Sequence, residues 1–159
     1  IFLLFKKKFS GNHLFFKLGD RLLLSRKLTG NFPDFERVLP KDQPHCVALQ
    51  REEFRAAIER VAQFSDERSR AIRVRVGDGE VKIQSSVSET GESEESIPTD
   101  YKGPAVEIGF NAQYLTDFLR AVATDQINFL FKDAHSAGEL RPGGEKADNY
   151  RYVIMPMRI

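Results

Sequence analysis

Few of the side chains that do chemistry stand together in this chain. His45 and Cys46 are adjacent, a pairing that could activate a thiol nucleophile if both groups met over a substrate. Neighbours along a strand project to opposite faces, however, and no partner acid is evident, so Cys46 is expected to be a partly buried structural residue. Glu92, Glu94 and Glu95 could attract a divalent cation, yet they lack the glycine and the ligand spacing of a calcium loop and are expected to be mobile. Asp78, within Gly77-Asp78-Gly79, is expected to make a turn. Neither glycine-rich phosphate-binding pattern is present. The sequence thus predicts no catalytic residue, no metal ligand and no cofactor.

The ending, YVIMPMRI, carries a different kind of chemistry. Val153, Ile154, Met155, Met157 and Ile159 are apolar, with Pro156 set among them. A strand that is apolar on both faces must be covered on both or must offer one to a partner. Methionine side chains are unbranched and polarisable and adapt to different ligands. Proline has no N–H, which places Pro156 at a sheet edge or strand end, where partner segments dock. Composition alone fits an ordinary core at least as well.

The elements that must position these residues are legible in outline. HLFFKL and RLLLSRKL flank Gly19-Asp20 and read as two antiparallel strands. LTGNFPDFERVLPKDQPH follows, with Pro33, Pro40 and Pro44 close together, and reads as a connector between domains. Beyond it the pattern runs twice: CVALQREEFRAAIERVAQF gives strand and helix, then AIRVRV, EVKIQSS and a strand around Ser96 to Tyr101; AVEIGFNAQYLTDFLRAVA gives strand and helix, then INFLFKD, HSAGELRP and YRYVIMPM. In the first helix Gln50 is the expected cap, with Glu53 at the capping-box position and Leu49 against Phe54; in the second, Asn111 caps and Phe110 meets Leu115. Apolar stripes run through Phe54, Ala57, Ile58 and Val61, and through Tyr114, Leu115, Phe118 and Val122, with Gln113, Thr116 and Arg120 opposite. The expected fold is α+β: a duplicated βαβββ unit with two helices on one side and antiparallel sheets on the other. The predicted divisions are 1–30, a terminal β-hairpin; 31–44, the connector; and 45–159, the duplicated domain.

Composition narrows the classes further. The 159 residues suffice for one real core, and the single cysteine excludes an internal disulfide and points to a reducing compartment. IFLLFKKKF places its short apolar run before its lysines, the reverse of a signal peptide, and no apolar run approaches membrane-spanning length. A soluble, cytoplasmic protein without a membrane partner is expected, and the missing initiator methionine suggests a fragment. The formal net charge is +1, but Ser88 to Asp100 holds five of the 23 acids and no Lys or Arg, leaving 24 bases against 18 acids elsewhere, a balance of +6. A mildly basic body with an acidic loop is compatible with nucleic acid on one face, and equally with an ordinary solvated surface. The helices' polar faces are too weakly basic for the roughly 6 to 10 clustered phosphate contacts of a protein that grips DNA.

FPDFERVLPKD, VEIGFNAQYLTDFL and the terminal YVIMPMRI together resemble the bacterial DNA sliding clamps, the beta subunits of the DNA polymerase III holoenzyme, over about Asn12 to Ile159. The resemblance implies the DNA-clamp fold: the last hairpin of a middle domain followed by a whole C-terminal domain. In that family two subunits of three similar domains close head to tail around duplex DNA, so a homodimer is implied. The clamp is a processivity factor rather than a catalyst, and DNA polymerase subunits, the clamp loader and repair proteins bind it through short linear motifs of the Gln-Leu-x-Leu-Phe kind. Carried over by motif, one half of the receiving cleft comprises Pro33, Arg37, Val38, Asn111, Tyr114, Val153, Ile154, Met155, Pro156, Met157 and Arg158, with His135 and Ala137 beside it. Lys41, Arg55 and Arg120 are the candidate DNA-facing residues.

The resemblance has limits along this chain. A first domain and most of a middle one have no counterpart, and IFLLFKKKFSG matches nothing expected. This length of chain alone is therefore not expected to encircle DNA, its peptide affinity is expected to be reduced, and the His13 to Leu28 hairpin is expected to fray. The alternative function is a standalone peptide-binding module that never meets DNA. An enzyme reading rests on His45 and Cys46 alone.

Overall fold

The structure, a computed structural model, describes residues 5–87, 91–144 and 150–158. The chain forms two compact units, Ile1–Glu36 and Arg37–Ile159.

In the smaller unit, strands β1 (Phe5–Ser10), β2 (His13–Leu18) and β3 (Arg21–Arg26) form an antiparallel sheet in that order. Gly19, at φ +58°, opens the β2–β3 turn, a conformation that glycine adopts without steric cost. β1 was not expected, because FKKKF shows no clear alternation of apolar residues; its pairing with β2 in the register Phe5↔Leu18 supplies the order that local sequence does not. Leu22, Leu23 and Leu24 of β3 are all exposed, so both faces of this strand present apolar surface. A single 3-10 turn, Phe35–Arg37, spans the division between the units, with Asp34 Oδ1 accepting from Glu36 N at 3.2 Å.

The larger unit contains β4 (His45–Gln50), α1 (Arg51–Val61), a 3-10 turn (Ala62–Phe64), β5 (Ala71–Gly77), β6 (Glu80–Val87) and β7 (Gly91–Pro98). The same order then recurs as β8 (Val106–Asn111), α2 (Ala112–Ala121), β9 (Gln126–Phe131), β10 (Gly138–Pro142) and β11 (Tyr152–Ile154). Each repeat gives its opening strand to the other's sheet: the orders are β7-β6-β5-β8 and β11-β10-β9-β4. The helices make this exchange rigid. Each begins directly after its strand, and its first N–H donates to the carbonyl just before the strand that its own opening strand pairs with: Arg51 N to Asp125 O at 2.8 Å, Ala112 N to Arg70 O at 2.9 Å. Arg51 also donates to Thr124 O and Leu119 O, filling carbonyls at the end of α2. Phe54, Ile58 and Val61 of α1, Leu115, Phe118 and Leu119 of α2, and the inward residues of both sheets share one core.

Several local expectations need correction. β7 starts at Gly91, not near Ser96, so Glu92, Glu94 and Glu95 belong to a strand and not to a mobile loop; residues 88–90 lie outside the described ones. A strand this polar holds because its acids meet bases opposite, Glu94 with Lys82 at 2.9 Å and Glu95 with Arg60 at 2.6 Å, while Ile97 enters the core. Gln50 makes no side-chain cap, whereas Asn111 Oδ1 accepts from Gln113 N at 2.8 Å. The buried stripe of α2 is centred one position later than the spacing suggested. Tyr114 is 54% exposed, Leu119 is buried, and Thr116 is buried with its hydroxyl donating to Gln113 O. Asp78 and Gly79, both at positive φ, form the two-residue β5–β6 turn that their sequence predicts.

Candidate functional site

His45 and Cys46 are not arranged for catalysis. The His45 ring packs against Phe131 and Tyr101, with ring centroids 5.3 Å and 6.1 Å away. Cys46 is exposed on β4, not partly buried as expected, because it alternates with Val47 on an edge strand. Local loss of hydration still pushes its thiol up from the ordinary value, against the opposing charge of Arg141, and so away from the reactive thiolate. Among the described residues no three His, Cys, Asp or Glu side chains are grouped to hold a metal ion.

The surface that stands out is built by the end of the chain. β11 pairs with β10 in the register Gly138↔Ile154 and Glu139↔Val153, and Ile154, 2% exposed, belongs to the core. Gly138 makes that closeness possible: a Cβ there would lie 3.0 Å from the rings of Phe110 and Phe129. Past Ile154 the chain leaves its sheet. Met155 is 64% exposed, Pro156 follows, and Met157 N–H donates to Gly109 O at 2.8 Å, a single antiparallel bridge to β8 of the other sheet. Beside this crossing lies a groove of about 430 Å³. Met155, Pro156, Met157 and Arg158 contribute to it from the terminal segment, Arg73, Glu107 and Gly109 from β5 and β8, and Ala134 and His135 from the β9–β10 loop.

The other cleft candidates are placed differently. Asn111 is occupied structurally: beyond its cap, Nδ2 donates to Ser69 O at 2.9 Å. Tyr114 lies on the first turn of α2 near Tyr152, whose hydroxyl is pushed up by burial and further by the charge of Asp117 and by Tyr150 and Tyr114. Val153 is half-buried on β11, Val38 is exposed, and Arg37 closes the 3-10 turn. Pro33 belongs to the smaller unit. Ala137 O accepts from Gln43 Nε2 at 2.7 Å. The groove therefore unites Met155 to Arg158 with His135 and does not include Asn111 or Tyr114.

Arg73, Glu107 and Gly109 were missed. Their signal was present in AIRVRV and VEIGF, whose alternation sends Ile72, Val74, Ile108 and Phe110 inward and those three outward. An outward position says only "solvent" until the tail arrives beside it.

The helix-face cations are committed to acids. Arg55 donates to Glu52 and Glu59, and Arg120 reaches the same Glu59 across the helix pair at 2.8 Å. Hydrogen bonds from Arg55 hold the Glu52 carboxyl below its usual range, and one from Arg120, followed by Arg55, does the same for Glu59. Lys41 is exposed on the segment before β4.

Twin βαβββ repeats with two helices on one side, antiparallel sheets on the other and exchanged opening strands define a DNA-clamp domain. Residues 36–158 match the family model for the DNA polymerase III beta subunit, C-terminal domain. The chain is similar to the beta sliding clamp of Pseudomonas putida, with 39% identity over 148 residues that make up 93% of this chain and 40% of the relative. It is 31% identical to that of Escherichia coli K12 over the same shares. Among solved structures, the DNA polymerase III subunit beta of Pseudomonas aeruginosa aligns with a TM-score of 0.87 at 35% identity, covering 96% of this chain and 42% of that one. A sliding clamp from the same organism, bound to griselimycin, aligns at 0.84, with 35% identity over 96% of this chain and 41% of that one. This chain belongs to the DNA polymerase III beta subunit family, and it spans about 40% of the length of the curated relatives it matches.

Proposed function

We propose that this chain forms the docking part of a sliding clamp: together with further clamp domains it encircles duplex DNA without gripping it, and its terminal segment receives linear motifs from polymerases, a clamp loader and repair proteins. The carrying observation is the groove beside Met155 to Arg158, an open surface of adaptable apolar side chains at the end of a family domain. That a relative's clamp has been crystallised bound to griselimycin supports a ligand-accepting surface on this fold. The function is mechanical tethering rather than bond chemistry. No helix among the described residues is long and apolar enough to cross a membrane.

Titration of the 159-residue chain with a fluorescent Gln-Leu-Asp-Leu-Phe peptide tests the docking role. Met155→Ala is expected to weaken binding about tenfold, the scale of one well-placed contact. Unchanged affinity in that variant removes the docking role of the groove.

The second reading, a peptide-binding module that never surrounds DNA, is favoured by one observation: Arg55 and Arg120 are both spent on Glu59, leaving the helix face little charge for phosphates. The readings separate in a chain of the relatives' full length. A ring stays on circular DNA and runs off once the circle is cut, whereas equal retention on both forms sinks encirclement.

A further inference from the structure

We propose that the terminal groove selects docking segments that carry a carboxylate, and that Arg73 is the residue that reads it; this rests on the docking role above and adds a specificity to it. Arg73 stands outward on β5 between the buried Ile72 and Val74 and lines the groove together with Met155 to Arg158. Its neighbour on the same face, Arg75, is held by Asp78 at 3.0 Å and so serves the β5–β6 turn. Arg73 instead faces Glu107 with its Nε 3.9 Å from Oε1, a through-space attraction beyond hydrogen-bonding reach, with both side chains about half exposed. Its N–H fork thus remains open to a better acceptor.

The groove's charges favour an acid. Among the described residues that line it, Arg73 and Arg158 set two guanidiniums against the carboxylate of Glu107. Arg158 directly follows Met157, whose N–H is fixed on Gly109 O, so the second cation is tethered at the same groove. Glu92 and Glu94 border Arg73 in a separate depression of about 180 Å³, where Glu94 is held by Lys82 and Gln84. A segment whose apolar residues rest on Met155, Pro156 and Met157 therefore places an adjacent carboxylate where Arg73 can take it with two parallel N–H donors. That carboxylate is either an Asp or Glu side chain or the segment's own C-terminus.

The test uses the 159-residue chain and four fluorescent peptides, Gln-Leu-Asp-Leu-Phe and Gln-Leu-Asn-Leu-Phe, each ending in a free acid or an amide. The wild type is expected to prefer a carboxylate-bearing peptide about tenfold over its neutral counterpart in low salt, as a charge-assisted pair would give. Arg73→Gln brings that preference under about twofold with the thermal melt unchanged, Arg73→Lys keeps part of it, and Glu107→Gln enlarges it. Loss of the preference on Asp→Asn or on amidation tells the two carboxylate sources apart. Equal affinity for acidic and neutral peptides, or a preference that survives Arg73→Gln, overturns the selection and leaves docking standing. Failure of every peptide to bind overturns docking and the selection with it.

Discussion

Replacing Phe118 with alanine is expected to cost the larger unit about 3–5 kcal/mol, the range for truncating a fully buried aromatic ring, and to loosen the end of the chain. Phe118 is 0% exposed on α2, and its ring meets Tyr150 and Tyr152 at centroid distances of 5.8 Å and 5.4 Å. Tyr152 opens β11 and Tyr150 stands two residues before it; with three residues β11 is the shortest of the domain's described strands. The variant should therefore lose stability in a urea titration and should also lose hydrogen-exchange protection at Ile154 and Met157 before the rest of the sheet. A loss below about 1 kcal/mol would mean that the ring is not the anchor of the last strand.

The second large effect is expected at Glu139. Its side chain is 0% exposed on β10, where Arg141 Nε donates to Oε1 at 2.7 Å and Arg151 Nη2 to Oε2 at 2.7 Å. Arg151 also donates to Pro40 O at 3.0 Å, so the acid holds the segment before β4 as well as the approach to β11. Burial alone would raise the Glu139 carboxyl; the hydrogen bonds from Arg151 and Arg141, and their charge, outweigh it and bring it below the ordinary 4.5. A depressed pKa adds stability above the unfolded value and loses it as pH falls through the folded one. The wild type is accordingly expected to weaken as pH drops below 4.5, and Glu139→Gln to flatten that slope. The slope does not vanish, since Asp66, Asp133 and other surface carboxyls are depressed too. Arg151→Ala at pH 7 is expected to cost about 3 kcal/mol, because it strips a buried carboxylate of one of its two cations. Urea titrations at pH 7 and pH 4 measure both, and a pH-independent Arg151→Ala difference would rule out the carboxylate as its source.

What could be read from the sequence was whatever a short window encodes. The apolar spacing of Phe54, Ile58 and Val61 marked α1, and Asp78-Gly79 and Gly19-Asp20 marked their turns, because helix faces and tight turns are set by residues a few positions apart. β7 was misread because its fit depends on Lys82 and Arg60 facing its acids, which a window over Gly91–Pro98 does not contain. Tyr114 and Thr116 were misassigned because helix spacing fixes the width of a stripe but not its centre, which packing against the sheets decides. At the groove, the terminal methionines were recognisable from their types alone. Their neighbours Arg73 and Glu107 were not, since nothing near position 73 announces that Met157 will bridge to Gly109. Arg120 looked like a free cation for the same reason, its partner Glu59 being 61 positions away on the other helix.

The exchange of opening strands has a consequence for how the domain can come into being. β4 finds its partner β9 only after about half the chain has been laid down between them, and β8 must reach back past two strands to join β5. Neither repeat can be released as a shorter ancestor of itself, since a cut between β7 and β8 leaves each piece with an orphaned strand and an unfilled sheet margin. The domain must close late and all at once, with slow, non-local assembly the cost of a seam that no single repeat can open alone.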